Sequence, residues 1–308
     1  MTSLSPDRIQ KLKKATRFFY DLQALRMQSG ARASQVPHLQ DAEKVPGKLG
    51  LSTATIEFLE ERKIELPEKK KIPLDWIEET ISKVKDAPSP IVLELKDAMF
   101  LAKVSTGLEQ LEKDALKECL RLLKGIPIWD EWLQPEVKGV GPTMGAVILT
   151  SFDVHRADTV SKFWAIAGLA VDNETGKAVK LQRGKKAKFD PWLKAKMIEV
   201  LGKSFLKAKS EPYYEIYVDI KHRRQNQFMP VCMACEGTHV FMKEPCRNCD
   251  AGKKSPPWGR SDAHRELDAR RRMVKQFLVD LHTRWRTLEG LPVRPPYHEQ
   301  YLGLKHHG

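Results

Sequence analysis

Apolar residues recur at three- and four-residue steps over most of the chain, as they do along one face of an amphipathic helix. The longest such stretch runs from Pro90 to about Lys124 and predicts one long, coiled-coil-like helix. Its apolar positions include Leu101, Val104, Leu108, Leu111, Ala115 and Leu122. This helix fits one arm of a helical hairpin, a dimeric coiled coil or a helix packed on its own domain. Cys119 lies on its apolar side and is predicted to be a buried thiol.

Shorter helices are predicted on both sides of this stretch. A basic helix around 9–28 precedes a long loop, and Ser52 or Thr53 is expected to cap the next helix. A further helix begins near Asp75, another is predicted over DTVSKFWAIAGLAV at residues 158–171, and the last runs from about Asp262 to Leu288, with Ser261 as its cap. Strands and helices do not alternate, so the predicted fold is mainly α, with a small β-hairpin insert near the C-terminal helix.

Four segments follow from these patterns. Residues 1–89 form an N-terminal helical region with a loop, and residues 90–128 form the long amphipathic helix. Residues 129–227 form a second helical unit with a glycine turn and a basic loop, and residues 228–308 hold a cysteine-bearing insert and the C-terminal helix. A length of 308 residues fits about two domains or one domain with appendages.

The charge balance points to a polyanionic partner. The formal net charge is +13 and the pI is about 9.4, which favours nucleic acid, with an acidic membrane surface as the competitor. No apolar run approaches the roughly 20 residues that span a bilayer, and the N-terminal residues lack the apolar stretch of a secretory signal. We therefore expect a cytoplasmic protein.

Cysteine spacing supplies the sharpest local signal. Of the five cysteines, four form two close pairs, Cys232 with Cys235 and Cys246 with Cys249. Two such pairs can form knuckles whose thiolates converge on tetrahedral zinc and leave no open position for a catalytic water. We predict a structural zinc site, against the alternatives of exposed thiol pairs or a redox motif.

A catalytic interpretation of the same insert is weaker. His239, Asn248 and His264 follow the order of a His-Asn-His nuclease, but ten residues between the cysteine pairs leave little room for a catalytic hairpin with its own metal ion. His239 is better interpreted as a hairpin residue and His264 as a first-turn helix residue. The sequence contains no P-loop, dinucleotide fingerprint, nucleophile elbow or zinc-protease motif, so we predict no enzymatic activity.

A second feature is the stretch VKGVGPTMGAVILT, in which two glycines precede an apolar helix. Gly139 and Gly141 allow positive φ and a close backbone approach, and Pro142 suits the first position of the helix. Amides at such a turn, with that of Thr143, bind anions at the positive end of the helix dipole. The alternative is an ordinary helix-to-helix turn whose glycines only permit packing.

Basic residues cluster after this turn, as expected of side chains that neutralise phosphates. The predicted nucleic-acid contacts there are Lys177, Lys180, Arg183, Lys185, Lys186, Lys188, Lys194 and Lys196. Lys162 on the preceding helix and Arg270 and Arg271 on the final helix complete the set. On that final helix the basic side chains are expected largely away from an apolar side that includes Leu267, either as a solvated face or as a second phosphate-contacting surface; they are Arg265, Arg270, Arg271, Arg272 and Lys275. Among the aromatics nearby, Trp164, Phe189 and Trp192, a core position is favoured over stacking on bases.

The order of these parts resembles a known group of proteins. The glycine turn, then RADTVSKFWAIAGLAV, then the basic GKAVKLQRGKKAK, resembles the C-terminal domain of the bridge-RNA-guided insertion-sequence transposases. That domain resembles the Nop domain of box C/D ribonucleoproteins and of the Tas proteins associated with tandem interspaced guide RNAs. The resemblance covers about residues 90–227 and identifies 129–227 as a Nop-like RNA-binding domain.

Two departures shape what this resemblance implies. The transposases' N-terminal catalytic carboxylate domain is missing, and residues 172–176 read DNETG where those proteins carry a serine nucleophile. The alanine-rich signature of box C/D Nop domains is also not evident. The resemblance therefore implies a nuclease-less Tas-like protein, encoded by a phage or its bacterial host, that binds a guide RNA and directs it to double-stranded DNA. A homodimer through the long helix is also implied.

Two other functions stay open at the level of sequence. A degenerate transposase or a nuclease within the cysteine insert would depend on metal and on His239 or His264. A helix-hairpin-helix protein would bind DNA structure without any RNA.

Overall fold

The computed structural model of the protein describes residues 5–33, 51–67, 72–171, 178–179, 181, 183–184 and 186–294. The loop predicted over 29–50 is described only to residue 33, which still belongs to the first helix, and residues 34–50 lie outside the described residues. The basic loop predicted over 172–190, hereafter the excursion, is described except for residues 172–177, Lys180, Gln182 and Lys185. An isolated antiparallel bridge between Val171 and Ala178 lies at the start of that excursion.

The fold is mainly α, as the sequence predicts. The α-helices are α1 (Pro6–Ala33), α2 (Thr53–Glu61), α3 (Leu74–Lys83), α4 (Ser89–Leu123), α5 (Pro142–Ser151), α6 (Val160–Ile166), α7 (Pro191–Ala195), α8 (Gly202–Ala208), α9 (Tyr213–Asn226) and α10 (Asp262–Leu288). Short π-helical stretches span Trp129–Leu133 and Lys196–Leu201, and a 3₁₀ turn spans Asp250–Gly252. Strands β1 (Val240–Phe241) and β2 (Glu244–Pro245) form an antiparallel hairpin. Within the described residues, no helix is both long enough and apolar enough to cross a membrane.

The predicted long helix is confirmed as α4, whose 35 residues extend roughly 52 Å. The predicted bounds of α10 and its cap are also confirmed, since the Ser261 hydroxyl accepts a hydrogen bond from the backbone N–H of His264. The predicted helix around residues 158–171 is shorter than expected. It ends at Ile166 because Gly168 takes a φ of +65° and lies so close to the Phe189 ring that a Cβ there would clash.

Backbone contacts divide the chain into two compact units, which do not coincide with the four segments drawn from sequence pattern. One unit comprises Lys14–Arg121. Its buried core contains Leu51, Leu59, Ile77, Val84 and Leu95. Arg26 and Glu112 form an ion pair between α1 and α4 at 2.5 Å, and Cys119 is fully buried, as predicted.

The other unit comprises Met1–Lys13 and Leu122–Gly308 and is built around α10. Phe277 of α10 stacks on Trp132 and meets Phe205 of α8 edge-on, with ring centroids 6.0 and 5.3 Å apart. In the last turn of the same helix, Arg286 donates hydrogen bonds to the carbonyls of Val154 and Ala157. Helix α10 therefore organises both the packing and the loop geometry of this unit.

One expectation about α10 is wrong. Arg265 and Arg270 are 8% and 5% exposed instead of lying away from the packed side, whereas Leu267 is 44% exposed. The arginines can be buried because Asp262, Glu199 and Glu266 provide carboxylates for them.

Candidate metal centre and nucleic-acid interface

The two predicted cysteine pairs meet at one point. The thiols of Cys232, Cys235, Cys246 and Cys249 are each at most 5% exposed, and their sulfur atoms all lie within 4.8 Å of one another. The Cys232–Cys246 and Cys235–Cys249 sulfur distances are 3.9 and 3.7 Å. Zinc–sulfur bonds of about 2.3 Å in a tetrahedron place sulfurs about 3.8 Å apart. The four cysteines could therefore hold a metal ion.

Tight turns and a hairpin bring these thiols together. The backbone N–H of Glu236 bonds to the Cys232 carbonyl at 2.8 Å, and Gly237 follows with a φ of +87°. The hairpin β1–β2 then returns the chain, and the Cys246 N–H bonds to the His239 carbonyl at 2.9 Å. His239 is thus a hairpin residue, as predicted.

Asn248, between the second pair of cysteines, is a functional residue that sequence reasoning assigned only to a nuclease motif. Its side-chain amide donates to the Cys232 sulfur at 3.4 Å and to the Gly259 carbonyl at 3.2 Å. Burial alone would raise the pKa of the Cys232 thiol, but this bond and the backbone N–H groups of Cys235 and Ala234 outweigh it and lower the pKa to about 6. Asn248 therefore stabilises a thiolate and ties it to the chain that leads into α10.

The insert is docked on α9 and α10 through Trp258. Its N–H bonds to the Gln227 carbonyl at 2.7 Å, and its own carbonyl accepts from the Arg265 guanidinium at 3.0 Å. The Arg224 guanidinium lies 4.1 Å from the centre of the Trp258 ring, within the range of a cation–π interaction. His264 packs beside that ring in the first turn of α10, as predicted for its position.

The two glycines of the glycine turn differ in role. Gly139 takes a φ of +92°, accepts a hydrogen bond from the Ser204 hydroxyl at 2.7 Å, and would place a Cβ 3.2 Å from the Ser204 backbone. The expectation of positive φ is wrong for Gly141, whose φ is −79° and whose Cβ would meet nothing within 4 Å. Pro142 begins α5 as predicted, so the Thr143 N–H has no acceptor within the helix.

Alanine substitutions at these glycines separate packing from binding. We expect Gly139→Ala to lower the free energy of unfolding by about 1–3 kcal/mol, because it combines positive φ with a backbone clash. Gly141→Ala should leave stability unchanged, because its Cβ meets nothing within 4 Å, and should weaken nucleic-acid binding severalfold if the backbone of the turn contacts phosphate. Thermal unfolding and fluorescence anisotropy with a labelled oligonucleotide measure the two effects. Unchanged affinity of Gly141→Ala would leave the turn a packing element.

The predicted basic contacts fall into several environments. Arg183, Lys186 and Lys188 are exposed, and no ion pair joins them to a carboxylate of the described residues. Lys162 is exposed but pairs with Asp158 at 2.8 Å. The Lys196 ammonium lies 5.5 Å from the centre of the Trp192 ring. Lys177, Lys180 and Lys185 lie outside the described residues.

The two arginines expected to contact phosphate have partners inside the protein. The Arg270 guanidinium is buried and bonds to the carboxylates of Glu199, at 3.1 Å, and Glu266. Arg271 donates to the Leu169 and Ala170 carbonyls at 2.7 and 3.0 Å. Arg270 therefore belongs to the interior, whereas Arg271 braces the chain just before the excursion.

Lys275, one of the basic residues expected to lie away from the apolar side of the final helix, lies one turn after Arg271 on α10. Its ammonium lies 3.9 Å from the centre of the Trp164 ring, and burial, then Arg271 and Arg272, lower its pKa to about 8. Trp164 is buried, as predicted, and its indole N–H donates to the Lys275 carbonyl at 3.3 Å.

Lys194 approaches the same place from α7. Burial and then Arg271 lower the pKa of Lys194, whose ammonium donates to the Val179 carbonyl at 3.3 Å and lies 4.7 Å from the centre of the buried Phe189 ring. Its side chain passes beside Gly168, where a Cβ would meet the Lys194 Cδ at 3.0 Å. Lys194, Arg271 and Lys275 thus converge on the chain that enters the basic excursion.

Comparisons of the sequence with protein-family profiles and with curated proteins, and of the structure with solved structures, found no significant match.

Proposed function

We propose that this protein is a zinc-containing, non-catalytic subunit of a ribonucleoprotein that holds a guide RNA and directs it to double-stranded DNA. The observation that carries the proposal is the excess of positive charge between α6 and α7, where exposed Arg183, Lys186 and Lys188 face no carboxylate of the described part of the chain. Phosphodiesters are the chemical groups that such a surface attracts most strongly. In this function the protein supplies charge and shape, and base pairing supplies sequence recognition.

The guide-RNA part of the proposal rests on the resemblance of residues 90–227. Its test is the sequence of the nucleic acid that co-purifies with the protein when it is expressed with its native flanking DNA. A discrete short RNA encoded beside the gene would support the proposal and provide the guide for tests of DNA targets. Heterogeneous RNA, or none, would overturn the guide function.

A structure-specific DNA-binding protein is the second candidate, and the exposed Gly141 at the N-terminus of α5 favours it. Helix-hairpin-helix proteins grip one DNA backbone at such a turn and need no RNA. Tight binding of RNA-free protein to duplex or branched DNA, unchanged by RNase treatment, would select this function.

We propose zinc as the metal at the cysteine cluster. Four thiolates without an oxygen or water ligand suit zinc in a structural role, and reduced thiols fit the bacterial cytoplasm, whether a host or a phage encodes the protein. Zinc is expected to fold the insert and to hold Asn248 against the Cys232 thiolate.

We propose that α4 joins two copies of the chain. Leu93, Phe100 and Leu111 are 61%, 64% and 47% exposed, and their spacings of seven and eleven residues place them on one helix face. Lys96 and Asp114 flank this face on the same side. In an antiparallel pair around a two-fold axis near Ser105, Lys96 of each copy meets Asp114 of the other, which makes the surface self-complementary.

Introducing charge on this face should separate the copies. We expect Leu93→Glu with Phe100→Glu to convert a dimer into a monomer in multi-angle light scattering while the circular dichroism stays helical, because both side chains are exposed within the chain. Lys113→Glu, on the opposite face of α4, is the matched control and should remain dimeric. A wild-type protein that is monomeric at micromolar concentration would contradict the interface.

A further inference from the structure

We propose that Lys194, Arg271 and Lys275 form a binding pocket for one phosphate group of the bound nucleic acid. This inference rests on the proposed function, because it assigns to that function a particular site. The pocket lies beside the chain after α6, which Lys194 approaches from α7 and Arg271 approaches from α10.

The convergence of these side chains has a structural cause. Arg271 and Lys275 are four residues apart on α10 and therefore share a helix face. Lys194 comes from α7, and its Asp190 cap fixes the start of that helix through bonds to the Trp192 and Leu193 N–H groups. The missing side chain of Gly168 leaves room for Lys194 and Phe189, which brings α7 next to the chain that follows α6. Arg271 reaches the same chain from α10 by donating to the Leu169 and Ala170 carbonyls.

The pocket holds more positive charge than the protein neutralises. Asp268 is the carboxylate that acts on Arg271, and it already pairs with Arg224 at 2.9 Å and Arg272 at 3.4 Å. Among the described residues, neither Lys194 nor Lys275 has an ion-pair partner. The cations instead face backbone carbonyls and aromatic rings, which hold a cation without cancelling its charge.

Lys275 is the informative member of the pocket. Its ammonium rests on the Trp164 ring and has no hydrogen-bond or ion-pair partner among the described residues, although it is largely removed from water. A methionine would fill the same space over the ring without the unfavourable burial of a charge. A buried lysine whose charge is paired with no carboxylate is expected where an anionic ligand uses it.

The chemical class of the ligand follows from the groups present. Three cations from two helices can surround the oxygens of a single phosphate, while a carboxylate ligand would leave part of this charge unmatched. Both a terminal monoester and an internal diester of a nucleic acid present such oxygens. The two sources differ in charge, and the experiment below distinguishes them.

The test compares Lys275→Met with wild type in anisotropy titrations of single-stranded RNA of about 20 nucleotides, with and without a 5′ phosphate. We expect Lys275→Met to weaken binding at least tenfold and to reduce the salt slope by about one, while the melting temperature holds or rises. A loss restricted to the 5′-phosphorylated RNA identifies a terminal monoester. An equal loss for both RNAs identifies an internal diester.

Two further variants make the outcome decisive. Arg284→Met removes one exposed charge from the same helix. It should change affinity less than twofold, because Arg284 is not part of the pocket and its ion pair with Glu136 is long, at 3.9 Å. Lys194→Met should weaken binding in the same way. If one of the two lysine variants folds poorly, the other still tests the pocket. Unchanged affinity in both lysine variants, with wild-type binding intact, would overturn the pocket alone. Absence of nucleic-acid binding by the wild-type protein would overturn the proposed function itself.

Discussion

Cys246→Ser is expected to unfold the insert over residues 228–261 while the helices of the same unit stay folded. The four cysteine sulfurs are the buried centre of this insert, and the half-buried Ala234 packs against them. Structural zinc contributes on the order of 10 kcal/mol or more to the folding of such small modules. Loss of one ligand therefore removes most of the free energy that keeps the insert folded. Helix α10 keeps its packing against Phe205 and Trp132 and does not need the metal.

The measurement combines zinc content by mass spectrometry with limited proteolysis. Wild-type protein should carry about one zinc ion per chain and resist cleavage in the insert. Cys246→Ser should lose the metal and become cleaved between α9 and α10, with only a small change in helical circular dichroism. Cys119→Ser is the matched control, because that thiol is buried in the other unit and should leave the metal content unchanged. Full metal occupancy in Cys246→Ser would contradict the four-cysteine site.

The second large effect is expected from reversing charge between α6 and α7. Lys186→Glu combined with Lys188→Glu should weaken RNA binding by about two orders of magnitude near 0.1 M salt and lower the salt slope by about two. Both side chains are exposed, so the fold should not change. The cause is long-range repulsion of phosphate together with the loss of two counterion-releasing contacts.

The control for this pair is Lys113→Glu with Lys117→Glu, which changes the net charge equally in the Lys14–Arg121 unit. Binding isotherms at several salt concentrations separate a local contact from an effect of total charge. Equal losses for both double variants would mean that only the overall charge of the protein matters. An intact affinity in Lys186→Glu/Lys188→Glu would remove this surface from the interface.

Local sequence information was sufficient wherever a feature depends on neighbouring residues. The three- to four-residue apolar period gives α4 its bounds, the Ser261 hydroxyl begins α10, and the cysteine spacing brings four thiols together. Each of these depends on a short stretch of chain whose geometry is nearly fixed by its residue types.

Features that depend on distant partners were not accessible in this way. Arg270 is buried because Glu199, 71 residues away in sequence, supplies a carboxylate, and nothing near Arg270 reveals that partner. Lys194 and Arg271 approach each other only after α7 and α10 have each packed against the chain that follows α6. Gly141 resembles Gly139 in sequence, but only Gly139 takes a positive φ and lies against the Ser204 backbone.

The bond between the Trp258 N–H and the Gln227 carbonyl has an architectural consequence. It places the two ends of the insert side by side, and the neighbouring antiparallel bridge between Phe228 and Pro257 pairs them. The insert therefore projects from the connection between the antiparallel helices α9 and α10. A chain that gained or lost it would keep the path of α9 and α10, so this position is suited to exchanging one peripheral module for another without rebuilding the helical body.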